Sequence, residues 1–486
     1  MNGSLERLFH SYLDGTLSRE GLAELNSALE TNPEARREFA EWLDLDASLG
    51  AIAKGRAAEV EAVAGRVSPA ATWKAALALA ASVALAAGAL WFWQGSTRAF
   101  ALVKASTGAT GLSPDEGLRG ETREIAEGTV KLRTRRGAEV VIEAPAVFRF
   151  ESPQRLRLVK GRLAADVPPP AKGFTVVTPD GDAIDLGTRF GIDVNENGGS
   201  EIHVFEGEVV ARAPGLGDPR SLRGGEALAM SEGGGDAREL RSAAFIQPDE
   251  LPSLRAALAA GQETRSAAAA ESLRSDPALV SLITFEDDAD HPGVYRLVQG
   301  RWPGSCAAEF VEVGDHLRLT LGEGRDFAQL TLAAWVRLDR LGAPYQSLLH
   351  TDGWSEDNPG QVHWMINGDA TMRLALRGNT LLPGAAGRHG FPDSLTPVLP
   401  EQGRWVHLTV VYDSTVGTVR FHLNGRFDSE VRQQVAHPAR LGPAQIGNWD
   451  KQDRKLSGRI DELAVIGRAL SDAEIQELHE AGTPYR

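Results

Sequence analysis

Two short stretches of this chain carry side chains suited to gripping a ligand. One reads TDGWSEDNPGQVHW and gathers Trp354, Glu356, Asp357, Asn358, His363 and Trp364. The other reads GNWDKQD and gathers Asn448, Trp449, Asp450 and Asp453. An aromatic face beside planar polar groups holds a sugar ring well, because the ring packs on the apolar face while amides and carboxylates take its hydroxyls. Trp354, Glu356, Asp357, Asn358, Trp449 and Asp450 are therefore the candidate ligand contacts. Trp364 and Trp405 stand in apolar, strand-like runs and read as core. No catalytic constellation accompanies them: Asp185 has no histidine or second acid at a suggestive spacing, and hydrogen bonding to a nearby turn is its expected role. Cys306 is the single cysteine. It excludes an intramolecular disulfide and a cysteine-rich zinc site, and reads as a small buried apolar residue. A formal charge of -15, spread along the chain, argues against direct nucleic-acid binding.

The elements that must position these residues fall into several units, because 486 residues exceed what one core organises. Residues 75–93, AALALAASVALAAGALWFW, carry no charge and have tryptophan at both flanks, as a membrane-spanning helix does. Lys54, Arg56, Arg66 and Lys74 precede this run, against Arg98 and Lys104 after it, which favours a cytoplasmic N-terminus. Ahead of it, Leu5, Leu8, Phe9, Tyr12 and Leu13 form an apolar stripe at helical spacing. Ser18 reads as the N-cap of a second helix carrying Leu22, Leu25 and Leu29. Asn32-Pro33 opens a third, expected to bury Phe39, Trp42 and Leu43. This head is a small helical bundle that gains stability by docking a partner.

After residue 100 the period changes to two. Val130–Leu132, Phe148–Phe150, Leu156–Leu158 and Leu163–Val167 alternate with polar residues, and Pro153, Pro168–Pro170 and Asp180-Gly181 punctuate them. Gly187 is expected at a close backbone approach and Gly207 at a strand reversal. Gly215, Gly217, Gly224-Gly225 and Gly233–Gly235 suggest a flexible stretch, and Leu254–Arg274 a spacer helix. Short strands then resume: Gln329–Leu338, Trp405–Asp413, Val419–Arg426 and the run Gly458–Gly482. Asn424-Gly425 is a hairpin-turn dipeptide, and a two-sheet sandwich is what this spacing predicts.

The stretch Tyr12–Leu49 resembles the cytoplasmic heads of FecR-type and related anti-sigma proteins. Some such heads hold zinc through a histidine and two cysteines; this one has His10 and no cysteine, so His10 reads as an ordinary helix residue. FTVVTPDGDAIDLGTRFGIDV (Phe174–Val194), EIHVFEGEVVA (Glu201–Ala211) and Glu139–Val167 resemble the core of the FecR domain. The resemblance implies a periplasmic signal-transducing domain linked through a membrane helix to a cytoplasmic regulator. LITFEDDAD (Leu282–Asp290), IGNW (Ile446–Trp449) and the four later runs resemble a laminin-G-like, concanavalin-type jelly roll, whose relatives bind glycans or proteins, often with structural calcium. Glu286, Asp287, Asp288 and Asp461 are the carboxylates this implies for calcium, since in related folds the opening strand lies near the Ile-Asp-Glu strand. Hydrolases of the concanavalin type align their carboxylates on one strand face, Glu-x-Asp-x-Glu. Here Arg459 takes the first acid position, followed by Ile460, Asp461 and Glu462, so no enzyme activity is expected.

The resulting expectation is a multidomain chain. It comprises a small α-helical head (1–55), a linker (56–72), one transmembrane helix (73–94), an all-β FecR-like domain (100–240), a helical linker (241–278) and a C-terminal β-sandwich jelly roll (279–486). The function expected is a single-pass inner-membrane signal transducer with periplasmic C-terminal domains, an alternative sigma factor as cytoplasmic partner, and a glycan or envelope protein as ligand. The alternative is an envelope glycan-binding, adhesion or scaffold protein without a sigma-factor partner.

Overall fold

The computed structural model divides into two compact units, residues 1–97 and 98–486. It describes residues 8–9, 11–13, 16–33, 35–37, 39–40 and 43 of the first. Of the second it describes 99–486 apart from 110, 232–233, 247–249, 287–291, 342–343, 399–402, 450–452 and 486. Among the described residues no helix is long and apolar enough to cross a membrane; residues 75–93, which carry the expected span, lie outside them.

In the first unit, helix α1 (Arg19–Thr31) begins at Ser18, whose hydroxyl accepts from the Gly21 N–H at 3.1 Å. Asn32 caps the following turn, its side chain accepting from the Ala35 N–H at 3.3 Å. Phe9 and Leu25 are buried, and the Phe39 ring lies 5.0 Å from Phe9 and 5.3 Å from Tyr12. Tyr12, Leu22 and Leu43, expected inside, are exposed. A bundle this short has too little interior to cover every apolar side chain. Leu5, His10 and Trp42 lie outside the described residues.

In the second unit, fourteen strands between Ala101 and Arg238 join in one sheet around one core. Its longest hairpin pairs Glu139–Ser152 with Arg155–Asp166. Val140, Ile142, Phe148, Phe150, Leu156, Leu158 and Leu163 point inward and are buried. The pairing slips between Glu143 and Val147, where exposed Pro145 has no N–H to offer a ladder. Gly187 has φ 104° with open space where a Cβ would stand, so its backbone angle, rather than the expected close approach, calls for glycine. Gly207 is a corner and not the expected reversal. Ser200–Glu206 pairs with Arg189–Val194 and Ala227–Ser231, whereas Glu208–Arg212 pairs with Asp182–Asp185 and Arg220–Arg223. The glycine-rich stretch is also built into this sheet, as strands Arg220–Arg223, Ala227–Ser231 and Gly234–Arg238. The apolar residues between its glycines, Leu222, Leu228 and Met230, are buried, and that burial outweighs the freedom the glycines confer.

The C-terminal region stacks a nine-stranded sheet on a six-stranded one. Leu330, Leu332, Ala334 and Val336 on Gln329–Leu338, and Val406, Leu408 and Val410 on Trp405–Asp413, meet Trp364, Ile366 and Leu374 in one core. Asn424 and Gly425, at φ 50° and 72°, turn the hairpin between Thr418–Leu423 and Arg426–Val435. In place of the one spacer helix expected over Leu254–Arg274, the structure has two, α2 (Glu250–Ala259) and α3 (Gln262–Arg274), broken at Gly261 with φ 70°. The run from Gly458 splits into strand Gly458–Ile466 and helix α4 (Asp472–Gly482), which starts from a Ser471/Glu474 capping box. Leu273 of α3 and Ile475 of α4 pack with Ala333, Val411 and Ile466 on the outer face of the nine-stranded sheet. The Gln262 amide donates to the carbonyls of Glu480 and Ala481. The linker is thus part of the folded body.

Candidate functional site

The outer face of the six-stranded sheet carries an aromatic column. His350 and His363 face each other across neighbouring strands, and their rings stack 3.9 Å apart. The loop after His350 folds Trp354 onto the other side of His363, stacked at 3.9 Å, while Trp449 meets the same imidazole edge-on at 5.3 Å. Phe391 lies 6.1 Å from Trp354. Arg377 stands 5.9 Å from the Trp354 ring centre and Arg454 4.4 Å from that of Trp449. Both histidines are buried, whereas Trp354 and Trp449 are half-buried. Burial first, then His363 and Arg454, holds His350 well below the usual imidazole range, so it is neutral.

The two tryptophans from separate sequence stretches therefore come together around one histidine. Glu356 joins them through Arg377, at 3.0 Å, with its carboxylate in solvent. Asn358 braces the loop, donating to Gly353 O at 3.4 Å and to the Ser355 hydroxyl at 3.3 Å. Asp357 is exposed, and Asp450 lies outside the described residues. The arrangement offers half-buried aromatic rings, two guanidinium groups and a solvent-exposed carboxylate on one face. Its centre, His350 with His363, is visible only once the strands are paired.

The carboxylates considered for calcium are placed differently. The opening strand Leu279–Ile283 does pair with Gly458–Ile466. However, Asp461 turns to Arg301, accepting from its backbone N–H at 2.6 Å and facing its Nε at 3.2 Å. Glu286 accepts from the Cys306 N–H at 3.2 Å. A guanidinium occupies the place a cation would take at Asp461, so these two do not fit a calcium site. Asp287 and Asp288 lie outside the described residues. No cluster of three or more metal-ligating side chains forms among the described residues. Cys306 is half-buried against the jelly-roll core, and Trp364 and Trp405 are buried. Asp185 is buried in a turn, accepting from the Gly187 N–H at 2.8 Å and from the Thr188 hydroxyl.

A second constellation went unread in the sequence: the joint between the FecR-like sheet and the jelly roll. Arg296, Glu309, Arg459 and Arg337 are successive cross-strand neighbours on the nine-stranded sheet. The opposing region answers each of them. Arg162 donates to both Glu309 oxygens at 2.9 Å and to Asp193 at 2.8 Å. Arg296 clasps Asp193 with two bonds of 3.0 Å, and Arg459 pairs with Glu143. Arg337 meets Glu250 of α2 at 3.0 Å, and the Ala244 carbonyl accepts from both Arg162 and Arg459. Burial pushes Asp193 and Glu309 up, but the surrounding guanidinium groups outweigh it and hold both well below the usual carboxylate range. Burial likewise raises Glu201, but the His203 hydrogen bond and Arg241 bring it down to about 2. The available signal was a charge inside an otherwise apolar strand, as with Glu309 in CAAEF and Arg337 in QLTLAAWVRL.

Comparison with known families and structures gives two matching regions. The FecR protein model matches residues 121–210, and that of the concanavalin A-like lectin/glucanases superfamily, laminin-G type, matches 312–476. No curated protein matches the chain. Among solved structures, a Bacteroides ovatus protein assigned to carbohydrate binding is similar at 16% identity, over 35% of this chain and 46% of that one, with a TM-score of 0.27. A Parabacteroides distasonis protein assigned as an anti-sigma factor is similar at 17% identity, over 25% and 60%, with a TM-score of 0.23. Domain 4 of an extracellular arabinanase from Geobacillus stearothermophilus, solved with arabinotriose, gives 16%, 41% and 97%, and 0.31. The chain spans less than two thirds of the length of the first two.

Proposed function

Because this chain joins a FecR region to a laminin-G-type, concanavalin A-like domain, we propose that it is a membrane-anchored signal transducer of the anti-sigma type that senses an extracytoplasmic glycan. Residues 75–93 serve as the span, the helical head faces the cytoplasm and meets an alternative sigma factor, and residues from 100 onward lie outside. The glycan docks on the face that carries Trp354 and Trp449.

The observation that carries this reading is the buried joint. A ligand signals only if it favours one arrangement of the protein over another. Held by Arg162–Glu309 and Arg459–Glu143, the FecR region moves with the jelly roll rather than trailing from it. A non-catalytic role accords with the same geometry. The strand that holds the acids in related hydrolases here gives Arg459 to Glu143 and Asp461 to Arg301.

The test is to isolate the full chain from host membranes, identify cytoplasmic proteins that come with it, and follow transcription driven by any sigma factor found. Recovery of an alternative sigma factor, with transcription that changes when residues 279–486 are deleted, is the expected result. Absence of a sigma factor, or transcription indifferent to that deletion, would leave the envelope-scaffold reading instead.

A further inference from the structure

Between the FecR region and the jelly roll, on the open side of the buried joint, lies a cleft of about 540 Å³. Both regions line it: Lys160, Arg162 and Asn197 from one, Tyr295 and Arg296 from the other. That volume falls within the range of small-ligand sites, roughly 300–1,000 Å³.

The groups facing the cleft are rich in donors. Lys160 is half-buried and forms no ion pair among the described residues. The Arg162 Nε is buried with no hydrogen-bond acceptor among them. Arg296 spends its two terminal nitrogens on Asp193 yet leaves 32% of its side chain exposed. Asn197 presents an exposed amide. Asp193 and the buried Glu309 are clasped by Arg162 and Arg296, and Glu143 by Arg459, so these charges balance one another and Lys160 is the lining cation left over, with Glu196 exposed. An unpaired ammonium beside a partly exposed guanidinium and an exposed amide calls for an acceptor-rich, negatively charged ligand. Pro145, Tyr295 and Leu297 add an apolar side to this polar lining, a mixture that suits a sugar ring with one apolar face and hydroxyls around it.

We infer that this cleft binds the carboxylate-bearing unit of an acidic glycan, with Lys160 and the exposed edge of Arg296 receiving the carboxylate and Asn197 a ring hydroxyl. The inference rests on the glycan-sensing reading above and adds to it a ligand class and a second place of contact. A unit seated here touches both regions at once, so its binding reports directly on their arrangement.

The experiment uses the full chain in detergent micelles, titrated calorimetrically with a galacturonate trisaccharide and with its methyl ester, the same frame without charge. The acid is expected to bind and the ester to bind about tenfold or more weakly, the size of one charge-assisted hydrogen bond. Lys160→Glu and Asn197→Ala are each expected to weaken the acid while keeping the wild-type melting temperature. Equal binding of acid and ester, no binding of either, or full affinity in both cleft variants overturns the inference. Trp354→Ala is titrated alongside: a loss there with both cleft variants unaffected moves the glycan to the aromatic column, which overturns the cleft and leaves the glycan-sensing reading standing.

Discussion

Arg162 and Glu309, 147 positions apart in the chain, meet with both carboxylate oxygens 2.9 Å from one guanidinium nitrogen. Each is buried, and each belongs to a different β region. Such a pair has lost its water, so removing one partner strands the other. Glu309→Ala is expected to cost about 3–5 kcal/mol, read as a lower denaturation midpoint. The double variant Arg162→Met with Glu309→Leu should recover part of that loss. A single variant as stable as the parent would mean the joint is hydrated.

Trp354 stacks on His363 and keeps part of its surface exposed. Trp354→Ala should cost only about 1–2 kcal/mol of stability. Glycan binding at the aromatic face should nevertheless fall by about tenfold or more, as for an aromatic anchor. Screening the variant on a glycan array beside the parent checks this. Identical profiles would remove Trp354 from the site.

Acid should weaken the second unit in two stages. Burial holds His479 down to about 4, and holds His350 and His407 well below the ordinary value of 6.5. These imidazoles are neutral in the fold but take protons in the unfolded chain once pH drops below 6.5. Their contribution is complete above 6.5 and is lost as pH falls toward 4. Glu201 and Glu474, both held at about 2 against 4.5, add a further loss between 4.5 and 2. Denaturant midpoints followed downward from neutral pH should decline through both windows; a constant midpoint across the first contradicts the histidine assignment.

The Ser18 hydroxyl supplies an acceptor to the first turn of α1. Ser18→Ala should cost about 1 kcal/mol. Amide exchange across Arg19–Thr31 should quicken, and less sigma factor should be recovered with the chain. Unchanged exchange would show that packing around Phe9 and Leu25 alone fixes this helix.

Local chemistry was legible in the sequence, and pairing over distance was not. The apolar runs Gln329–Leu338 and Trp405–Asp413, set off by turn residues, match both strands to the residue, and Ser18 and Asn424-Gly425 announced a cap and a turn. Arg459 could be read only as a missing acid, because its meaning depends on Glu143, 316 positions earlier. His350 stood unremarked in YQSLLHT, since only strand register sets it against His363. The glycines at 215–235 misled for a related reason. Composition reports how freely a segment moves alone, and Leu222, Leu228 and Met230 are held by a sheet that the segment itself does not specify.

The joint also decides what a protease can accomplish. Helices α2 and α3 expose much of their surface, and in a chain of beads a nick there would set the last domain adrift. Here the severed halves stay clasped through Arg162–Glu309, Arg459–Glu143 and the Ala244 carbonyl. A cut upstream of Ala101, by contrast, sets free a fragment that carries both β regions together.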